Sequence, residues 1–295
     1  MTPPSAVPDV PRLVAVAQAR SCGATTATLA LADAWPAPVL VAELDPAGGD
    51  LAVRFGLSAN TGVLSLAASG AERIGAHTVA EHTQVADGLS LLVGPPGAEQ
   101  AAAALGGLGP AVAWVLGTLD ADVLVDCGRL APASVVVSEI LPRAGLVLLV
   151  AATTPAGVVH LRHRLVALPP AVAARTTVAL VGEGRPGCRA ADVERALGVE
   201  VAGVLADDWR GAEALAAGEV STRRYRSSAL ARSARPLARA LAARLGPPAP
   251  ADTPPAPAPS RPASATQRPA RVLTGPEGRP MANSAVRHHE GTEGG

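Results

Sequence analysis

Residues 14–34 read VAVAQARSCGATTATLALADA, and this stretch decides the fold. It begins as an apolar strand, continues through a turn of small residues that ends in GATT at 23–26, and passes into an alanine- and leucine-rich helix. Small residues in such a turn let several backbone N–H groups converge on one anion, and the following helix adds the positive end of its dipole. The stretch therefore predicts a phosphate-binding loop.

The lysine of the usual P-loop pattern is missing from this loop. In that pattern a lysine stands directly before the Ser/Thr and reaches the β- and γ-phosphates, whereas here the position holds Ala24. The sequence contains no lysine at all, so its 25 basic residues are all arginines. Any cation at the phosphates must then come from an arginine, a metal ion or a partner.

Composition favours a globular protein with balanced charge. Of the 295 residues 48% are hydrophobic, and 25 basic residues offset 25 acidic ones. Such a chain can bury a sizeable core, and the balance does not indicate attraction of the whole protein to nucleic acid or to an anionic membrane. Its three cysteines form no even disulfide framework, no signal segment opens the sequence, and the apolar run at 144–153 is shorter than the roughly 20 residues that span a bilayer. We expect a cytoplasmic protein with no integral membrane segment.

The chain is predicted to comprise a short N-terminal tail at 1–10, one folded domain at 11–246 and a C-terminal tail at 247–295. The C-terminal tail is rich in proline and has almost no large apolar residue to bury. This composition predicts disorder, with a docking segment or a tether as the functional alternative.

Within the domain, apolar strand-like runs alternate with helical stretches. We predict strands at 13–17, 39–42, 89–93, 123–125, 146–150, 177–181 and 199–205, and helices at 25–34, 99–117, 133–141, 155–168, 190–197 and 228–245. Most of the runs are apolar throughout, as expected for strands that helices cover on both faces. The order predicts an α/β fold with a doubly wound, mostly parallel sheet.

Two of the predicted strands lead into acidic residues. The run at 39–42 is followed by the sequence ELDP at 43–46, and the run at 123–125 is followed by Asp126. Ligands of doubly wound sheets bind at the carboxyl ends of the parallel strands. One carboxylate there can hold Mg²⁺ and another can orient an attacking water, whereas the alternative for each acid is to cap a following helix or turn.

In their order along the chain, these motifs resemble the ParA/MinD-like P-loop ATPases, which position chromosomes, plasmids, septa and pili. The family's K-G-G-V-G-K-T-T loop corresponds to residues 19–26, its D-x-D-P to 43–46 and its D-x-P or D-x-G to 126–128. Its late G-V-I-P-E-D segment is similar to GVLADD at 203–208. The resemblance covers roughly residues 12–245 and implies the fold of that family.

The resemblance also implies a site for ATP and Mg²⁺. It places Asp45 at the residue associated with the hydrolytic water, Asp126 with Thr25 at the metal, and Gly128 at the switch. The nucleotide-binding loop that it implies consists of Arg20, Ser21, Cys22, Gly23, Ala24, Thr25 and Thr26, with Gly128 facing it.

The departures from the family pattern weaken the expected activity. Ala19 replaces the lysine that reaches across a dimer, Ala24 replaces the P-loop lysine, and VGE at 181–183 replaces the asparagine that commonly reads adenine. Losing a charge-assisted hydrogen bond costs about 1.5–3 kcal/mol, so nucleotide affinity is expected to fall roughly 10- to 100-fold. Hydrolysis is affected more, because phosphoryl transfer depends on positioned positive charge. We expect a degenerate Walker A loop with weak or lost hydrolysis.

Three functional hypotheses follow from the resemblance. The favoured one is a nucleotide-binding protein for chromosome partitioning, cell division or another positioning task, with a homodimer and a ParB-like or pilus or secretion component as candidate partners. The second is an active ATPase in which Arg20 or a partner's arginine replaces the lysine. The third is a non-enzymatic scaffold similar to the localisation factors of Tad-type pili.

A basic segment at 221–244 contains seven arginines and no acidic residue. Placed on a helix, Arg232, Arg235 and Arg239 share one face and the leucines of the segment line another. This pattern is typical of a packed helix with a solvated basic face, and it also fits a surface that binds DNA non-specifically through its phosphates.

Overall fold

Eight strands form one sheet in the described part of the chain, which comprises residues 11–131, 134–183 and 187–246 of a computed structural model. The strands are β1 Leu13–Gln18, β2 Val39–Glu43, β3 Gln84–Ala86, β4 Leu89–Leu92, β5 Asp122–Arg129, β6 Leu146–Ala152, β7 Thr176–Glu183 and β8 Val201–Ala206. Their order across the sheet is β3-β4-β2-β5-β1-β6-β7-β8. All neighbours are parallel except β3 and β4. The prediction of a doubly wound, mostly parallel sheet is confirmed.

Strand β1 illustrates why the central runs are apolar throughout. Leu13, Ala15 and Ala17 belong to one buried hydrophobic cluster, and Val14 and Val16 belong to a second. Successive side chains of a strand point to opposite faces of the sheet, so the two clusters lie on its two sides. A sheet covered on both faces leaves its central strands no solvated side for polar residues.

Helices account for the burial of both faces. In the described residues they are α1 Ala24–Asp33, α2 Leu51–Phe55, α3 Val63–Ala68, α4 Ala76–Glu81, α5 Ala98–Gly117, α6 Pro155–Ala167, α7 Pro170–Ala173, α8 Ala190–Leu197, α9 Trp209–Ala216, α10 Arg223–Arg226 and α11 Ala229–Arg244. Five of the six predicted helices begin and end within one residue of these bounds. Helices α2, α3, α4, α7, α9 and α10 lie outside the six predicted ranges, and the edge strand β3 was not predicted either.

The predicted helix at 133–141 is wrong in type. The described part of this range holds a π-helix at Val136–Ile140, and a 3₁₀ turn follows at Leu141–Arg143. Pro142 has no N–H to donate and cannot continue an α-helix through this point. Apolar periodicity alone does not report this interruption.

Helix α5 is long and apolar enough to cross a membrane by length and composition, and it is the one such helix in the described residues. Half of the window concerned is buried inside the protein, and the backbone is kinked where Gly109 precedes Pro110. A core helix passes the same test, so α5 is weak evidence for a membrane span. The apolar run at 144–153 contains β6, which lies between β1 and β7.

The expectations for both tails concern residues outside the described part of the chain. They cover the N-terminal segment at 1–10 and the Pro-rich segment at 247–295, and they stay predictions.

Candidate phosphate-binding and metal-binding site

The predicted site residues converge where β1, β2 and β5 end. Asp126 of β5 lies opposite Val16 of β1 on one side and opposite Glu43 of β2 on the other. The carboxylate of Asp45 packs directly against Gly128. These positions bring the acidic strand ends beside the loop that follows β1, at the edge where doubly wound sheets bind their ligands.

The loop after β1 forms the predicted convergence of backbone N–H groups. Gly23 has φ +91°, a conformation that favours glycine, and its carbonyl accepts the first hydrogen bond of α1 from Ala27, at 2.8 Å. The N–H groups of Cys22, Gly23 and Ala24 all donate to one atom, Oε1 of Gln18, at 2.7, 2.9 and 3.2 Å. We call these three N–H groups the nest. Sequence reasoning predicted the nest but missed Gln18, whose one signal is a polar residue at the end of an apolar strand.

Small buried side chains occupy both positions where the family has lysine. Ala24 is fully buried and Ala19 is 5% exposed. Ser21 is exposed, whereas Thr25 and Thr26 are half-buried in the first turn of α1. The loop itself therefore offers N–H and hydroxyl groups.

Arg20 does not face the nest in this structure. Its Nη1 lies 2.8 Å from Nε2 of His160 on α6. Both residues line a cavity of about 310 Å³ between the loop and α6. The arginine adjoining the lysine position is thus engaged with a helix rather than with the position of a phosphate.

Asp126 is the acid best placed to bind a metal ion. It is 1% exposed, its Oδ1 accepts from the N–H of Gly128 at 3.0 Å, and its Oδ2 is buried without a hydrogen-bond partner among the described residues. Burial raises the pKa of this carboxyl to about 6, although the Thr25 hydroxyl and the Gly128 N–H favour the charged form. An oxygen without a partner next to a threonine hydroxyl suits Mg²⁺, which takes one or two protein carboxylates and completes its shell with water and phosphate. The described residues contain no group of three His, Cys, Asp or Glu side chains that could hold a metal ion. A Mg²⁺ site shared with phosphate does not need three such side chains.

Asp45 lies next to this acid in a tight turn. Its Oδ1 accepts from the N–H of Ala47 at 2.8 Å, and burial raises its pKa. Gly128 has φ +57°, and a Cβ there would lie 1.7 Å from Oδ2 of Asp45. Glycine is therefore required at 128 for Asp45 to occupy this place.

Glu43 has a structural role that the sequence did not reveal. Its Oε1 accepts from the N–H groups of Asp50 and Leu51 at 2.8 and 3.1 Å, and its Oε2 accepts from Gly94 at 2.9 Å. Burial raises its pKa to about 7 despite these donors. The side chain joins the start of α2 to the segment after β4, two regions that lie far apart along the chain.

A second cavity, of about 120 Å³, lies on the other side of the loop. Gly23, Thr26 and Asp207 are among the residues that line it, together with parts of β7, β8, α9 and α11. Asp208, which also borders it, accepts from Arg210 and Gly211 at the start of α9 and from Ala229 and Leu230 at the start of α11. Burial alone would raise the pKa of Asp208, but these four donors outweigh it and lower the pKa. Asp208 fixes two helix ends beside the cavity.

The two cysteines at the site are inert. Burial raises the pKa of the Cys22 thiol to about 12, and its Sγ donates to the carbonyl of Val150 at 3.1 Å. Cys127 is fully buried, which raises its pKa well above its usual value. Neither thiol ionises near neutral pH, so both act as small packed side chains.

The basic segment has the predicted two-sided character. Arg232, Arg235 and Arg239 are exposed on α11, whereas its leucines are buried against the sheet side. Arg232 and Arg235 donate to the carbonyls of Ser227 and Arg226. The leucine face holds the helix in place, and the arginine face lies at the surface.

No family model matches the sequence, and a search of curated proteins gives no match. Solved structures do match. A ParA family ATPase from Chlorobium tepidum is 14% identical, covering 79% of this chain and 98% of its own, with a TM-score of 0.64. The septum site-determining protein MinD from Pyrococcus horikoshii, complexed with Mg-ADP, is 16% identical, covering 78% and 95%, with a TM-score of 0.59. Apo McdA from Cyanothece is 16% identical, covering 78% and 98%, with a TM-score of 0.57.

These likenesses extend over the whole described domain and nearly the full length of each matched chain. At such low sequence identity they concern the fold. The sheet order, the loop after β1 and the similarity to these ATPases agree, and the chain has the ParA/MinD-like P-loop ATPase fold.

Proposed function

We propose that this is a cytoplasmic nucleotide-binding protein that acts in chromosome partitioning or in positioning another cellular structure, with weak or lost ATP hydrolysis. The fold supports the proposal, because a ParA family ATPase and a MinD share it. The observation that carries it is Asp126, whose buried Oδ2 has no partner in the described residues and lies at the phosphate loop. Buried polar atoms in proteins nearly always have a partner, so a bound ligand is the natural one here.

Each residue of the site has a distinct task in this proposal. The nest would hold a phosphate oxygen, Thr26 would donate to a more distant phosphate, and Thr25 with Asp126 would hold Mg²⁺. A bound Mg²⁺ supplies positive charge that neutralises phosphate oxygens. Asp45 would orient water. Gly128 leaves room for the Asp45 carboxylate, since a Cβ at position 128 would lie 1.7 Å from Oδ2 of Asp45. Arg20, Ser21 and Cys22 complete the loop.

Weak or absent hydrolysis follows from the missing positive charge. The sequence has no lysine, and Arg20 pairs with His160 instead of facing the nest. Three neutral N–H groups and a helix dipole favour an anion, but they supply less stabilisation than a positioned cation during phosphoryl transfer.

A second candidate function is a non-enzymatic scaffold of the kind that localises Tad-type pili. Occupation of the nest by Gln18 favours it, because a loop that satisfies its own N–H groups keeps its shape without nucleotide. Candidate partners under either function are a second copy of the chain, a ParB-like or pilus component, and non-specific DNA bound by Arg232, Arg235 and Arg239.

Thermal unfolding with ATP tests nucleotide binding. We expect ATP with Mg²⁺ to raise the melting temperature of the wild type, ATP with a chelator to raise it much less, and Asp126→Ala to abolish the Mg²⁺-dependent rise. Asp120→Ala is the matched control. Asp120 is an exposed acid just before β5, so it lies at the amino end of that strand, opposite the end that carries Asp126. An undiminished rise in Asp126→Ala would remove this metal site, and no rise in the wild type would leave the scaffold as the function.

A further inference from the structure

The occupant of the nest is a side chain of the protein itself. Gln18 is the last residue of β1, and its Oε1 accepts three backbone N–H groups at 2.7, 2.9 and 3.2 Å. All three partners are donors, so the acceptor oxygen of the carboxamide faces them. Among the described residues, no other group accepts from these N–H groups.

A phosphate oxygen and the Gln18 oxygen require the same donors. Successive N–H groups that converge at a helix start form an anion site, and helix α1 adds its positive end. A carboxamide oxygen carries only part of the negative charge of a phosphate oxygen. The structure therefore holds an uncharged acceptor in a place suited to an anion.

A second group at this edge is also prepared for a ligand. Asp126 is 1% exposed, and its Oδ2 lacks a partner within the described residues, although the Thr25 hydroxyl lies close enough to favour the charged carboxylate. Thr25 belongs to the first turn of α1, directly after the nest. The N–H groups of the nest thus have an acceptor within the protein, whereas Oδ2 of Asp126 has no hydrogen-bond donor among the described residues.

We propose that Gln18 is an internal surrogate for phosphate that closes the nest, and that a phosphate group binds there only by displacing it. The inference rests on the proposed function and deepens it, because it names the group that competes with the ligand. The Gln18 carboxamide keeps the loop in its binding shape without lysine or nucleotide, and the same interaction lowers the affinity for any phosphate compound.

Gln18→Met tests the surrogate, because methionine keeps the length of the side chain and removes the acceptor. Three N–H groups are left without their partner, so the melting temperature should fall by roughly 3–8 °C. Sodium phosphate, compared with sodium chloride at equal ionic strength, should then raise the melting temperature several-fold more in the variant than in the wild type.

Gln84→Met is the matched control. Gln84 also fastens a loop through backbone bonds, to Ser58 and Thr61, but far from the nest. Its replacement should destabilise the protein without any extra response to phosphate. Equal phosphate responses in Gln18→Met and the wild type would overturn the proposal.

Gln18→Glu gives the opposite test and does not depend on the stability of the methionine variant. A carboxylate that accepts three N–H groups at a helix start is a stronger partner than a carboxamide. We expect a higher melting temperature and no response to phosphate. A response equal to that of the wild type would overturn the surrogate role.

ATP with Mg²⁺ separates this inference from the proposed function. If Gln18→Met binds ATP about tenfold more tightly than the wild type, the worth of one to two neutral hydrogen bonds, both stand. If phosphate discriminates between the variants as described and ATP adds nothing beyond phosphate, the surrogate stands and the nucleotide function fails. If ATP binds equally well to Gln18→Met, Gln18→Glu and the wild type, the surrogate fails and nucleotide binding stands.

Discussion

Two buried carboxylates lie opposite each other where β2 and β5 run side by side, and they are used in different ways. Glu43 is 2% exposed and accepts three backbone N–H groups from two distant segments. Asp126 is 1% exposed, accepts one, and leaves Oδ2 without a partner among the described residues. Burial raises the pKa of both.

The difference shows that burial and a raised pKa do not by themselves identify a functional acid. What distinguishes the β5 end from the β2 end is the number of satisfied oxygens. An acid whose oxygens are all satisfied by backbone donors is part of the scaffold, and an acid with a free oxygen at a ligand edge is available for chemistry.

Truncating the two acids should separate them most clearly. Glu43→Ala leaves three backbone N–H groups without an acceptor, two of them buried, and should lower the free energy of unfolding by about 4 kcal/mol. Asp126→Ala leaves the Gly128 N–H without an acceptor and takes the carboxylate away from the Thr25 hydroxyl, but it also removes a poorly solvated charge, so it should cost only about 1 kcal/mol. Urea unfolding at pH 7 measures both, and equal decreases would erase the distinction.

The pH dependence of the free energy of unfolding should reveal the raised pKa of Glu43. Its pKa is about 7 in the folded protein against an ordinary 4.5, so between these values the native state binds more protons than the unfolded chain. The free energy of unfolding is then greatest below about pH 4.5 and falls as the pH rises through about 7, by on the order of 3 kcal/mol. Asp208 works in the opposite sense, because its lowered pKa gives stability that is lost as the pH falls below its ordinary range.

Urea unfolding from pH 4 to 8 tests this sign. Glu43→Gln should flatten the fall between pH 4.5 and 7. The decline that remains belongs to the other acids whose pKa burial raises, which are Asp126, with a pKa of about 6, Asp45 and Asp33. A wild type that becomes more stable over this interval would show that Glu43 is ionised throughout.

A lysine introduced at the P-loop position tests whether the site at the end of β5 binds phosphate. Ala24→Lys should tighten ATP binding by roughly tenfold, the worth of one charge-assisted hydrogen bond. Ala24 is fully buried, so the lysine must extend toward the nest that Gln18 fills, and the gain should be larger when Gln18→Met is also present. Calorimetry on the single and double variants measures the gain, and no gain in either would mean that the loop cannot accept a lysine.

The smallest effect is expected on α11, away from both strand ends. Replacing Arg232, Arg235 and Arg239 together with alanine should leave stability nearly unchanged, because the buried leucine face carries the packing. If this face binds DNA, the slope of the logarithm of the binding constant against the logarithm of the salt concentration should become shallower by about 0.9 for each phosphate that the protein no longer neutralises. Fluorescence anisotropy with random duplex DNA at several salt concentrations tests this, and a wild type that fails to bind at low salt would exclude the DNA surface.

The sequence predicted the sheet, five of the helices and the acids at the strand ends because these features depend on local runs. Apolar segments such as 13–17 become strands wherever helices cover both faces, and Asp126 must then lie at the ligand edge. The role of Glu43 was not predictable, because its donors lie at residues 50, 51 and 94 and meet only in the folded chain. The role of Gln18 was hidden for a related reason, since the curl of the loop brings three N–H groups back onto the strand that precedes it.

Calorimetric titration of ATP with Mg²⁺ into the wild type, Glu43→Gln and Asp126→Asn tests the assignment of the two acids most directly. Performed at low temperature so that all three stay folded, it should give weak binding to the wild type, similar binding to Glu43→Gln, and no measurable heat with Asp126→Asn. Binding to Asp126→Asn as tight as to the wild type would contradict the claim that the end of β5 is a ligand site.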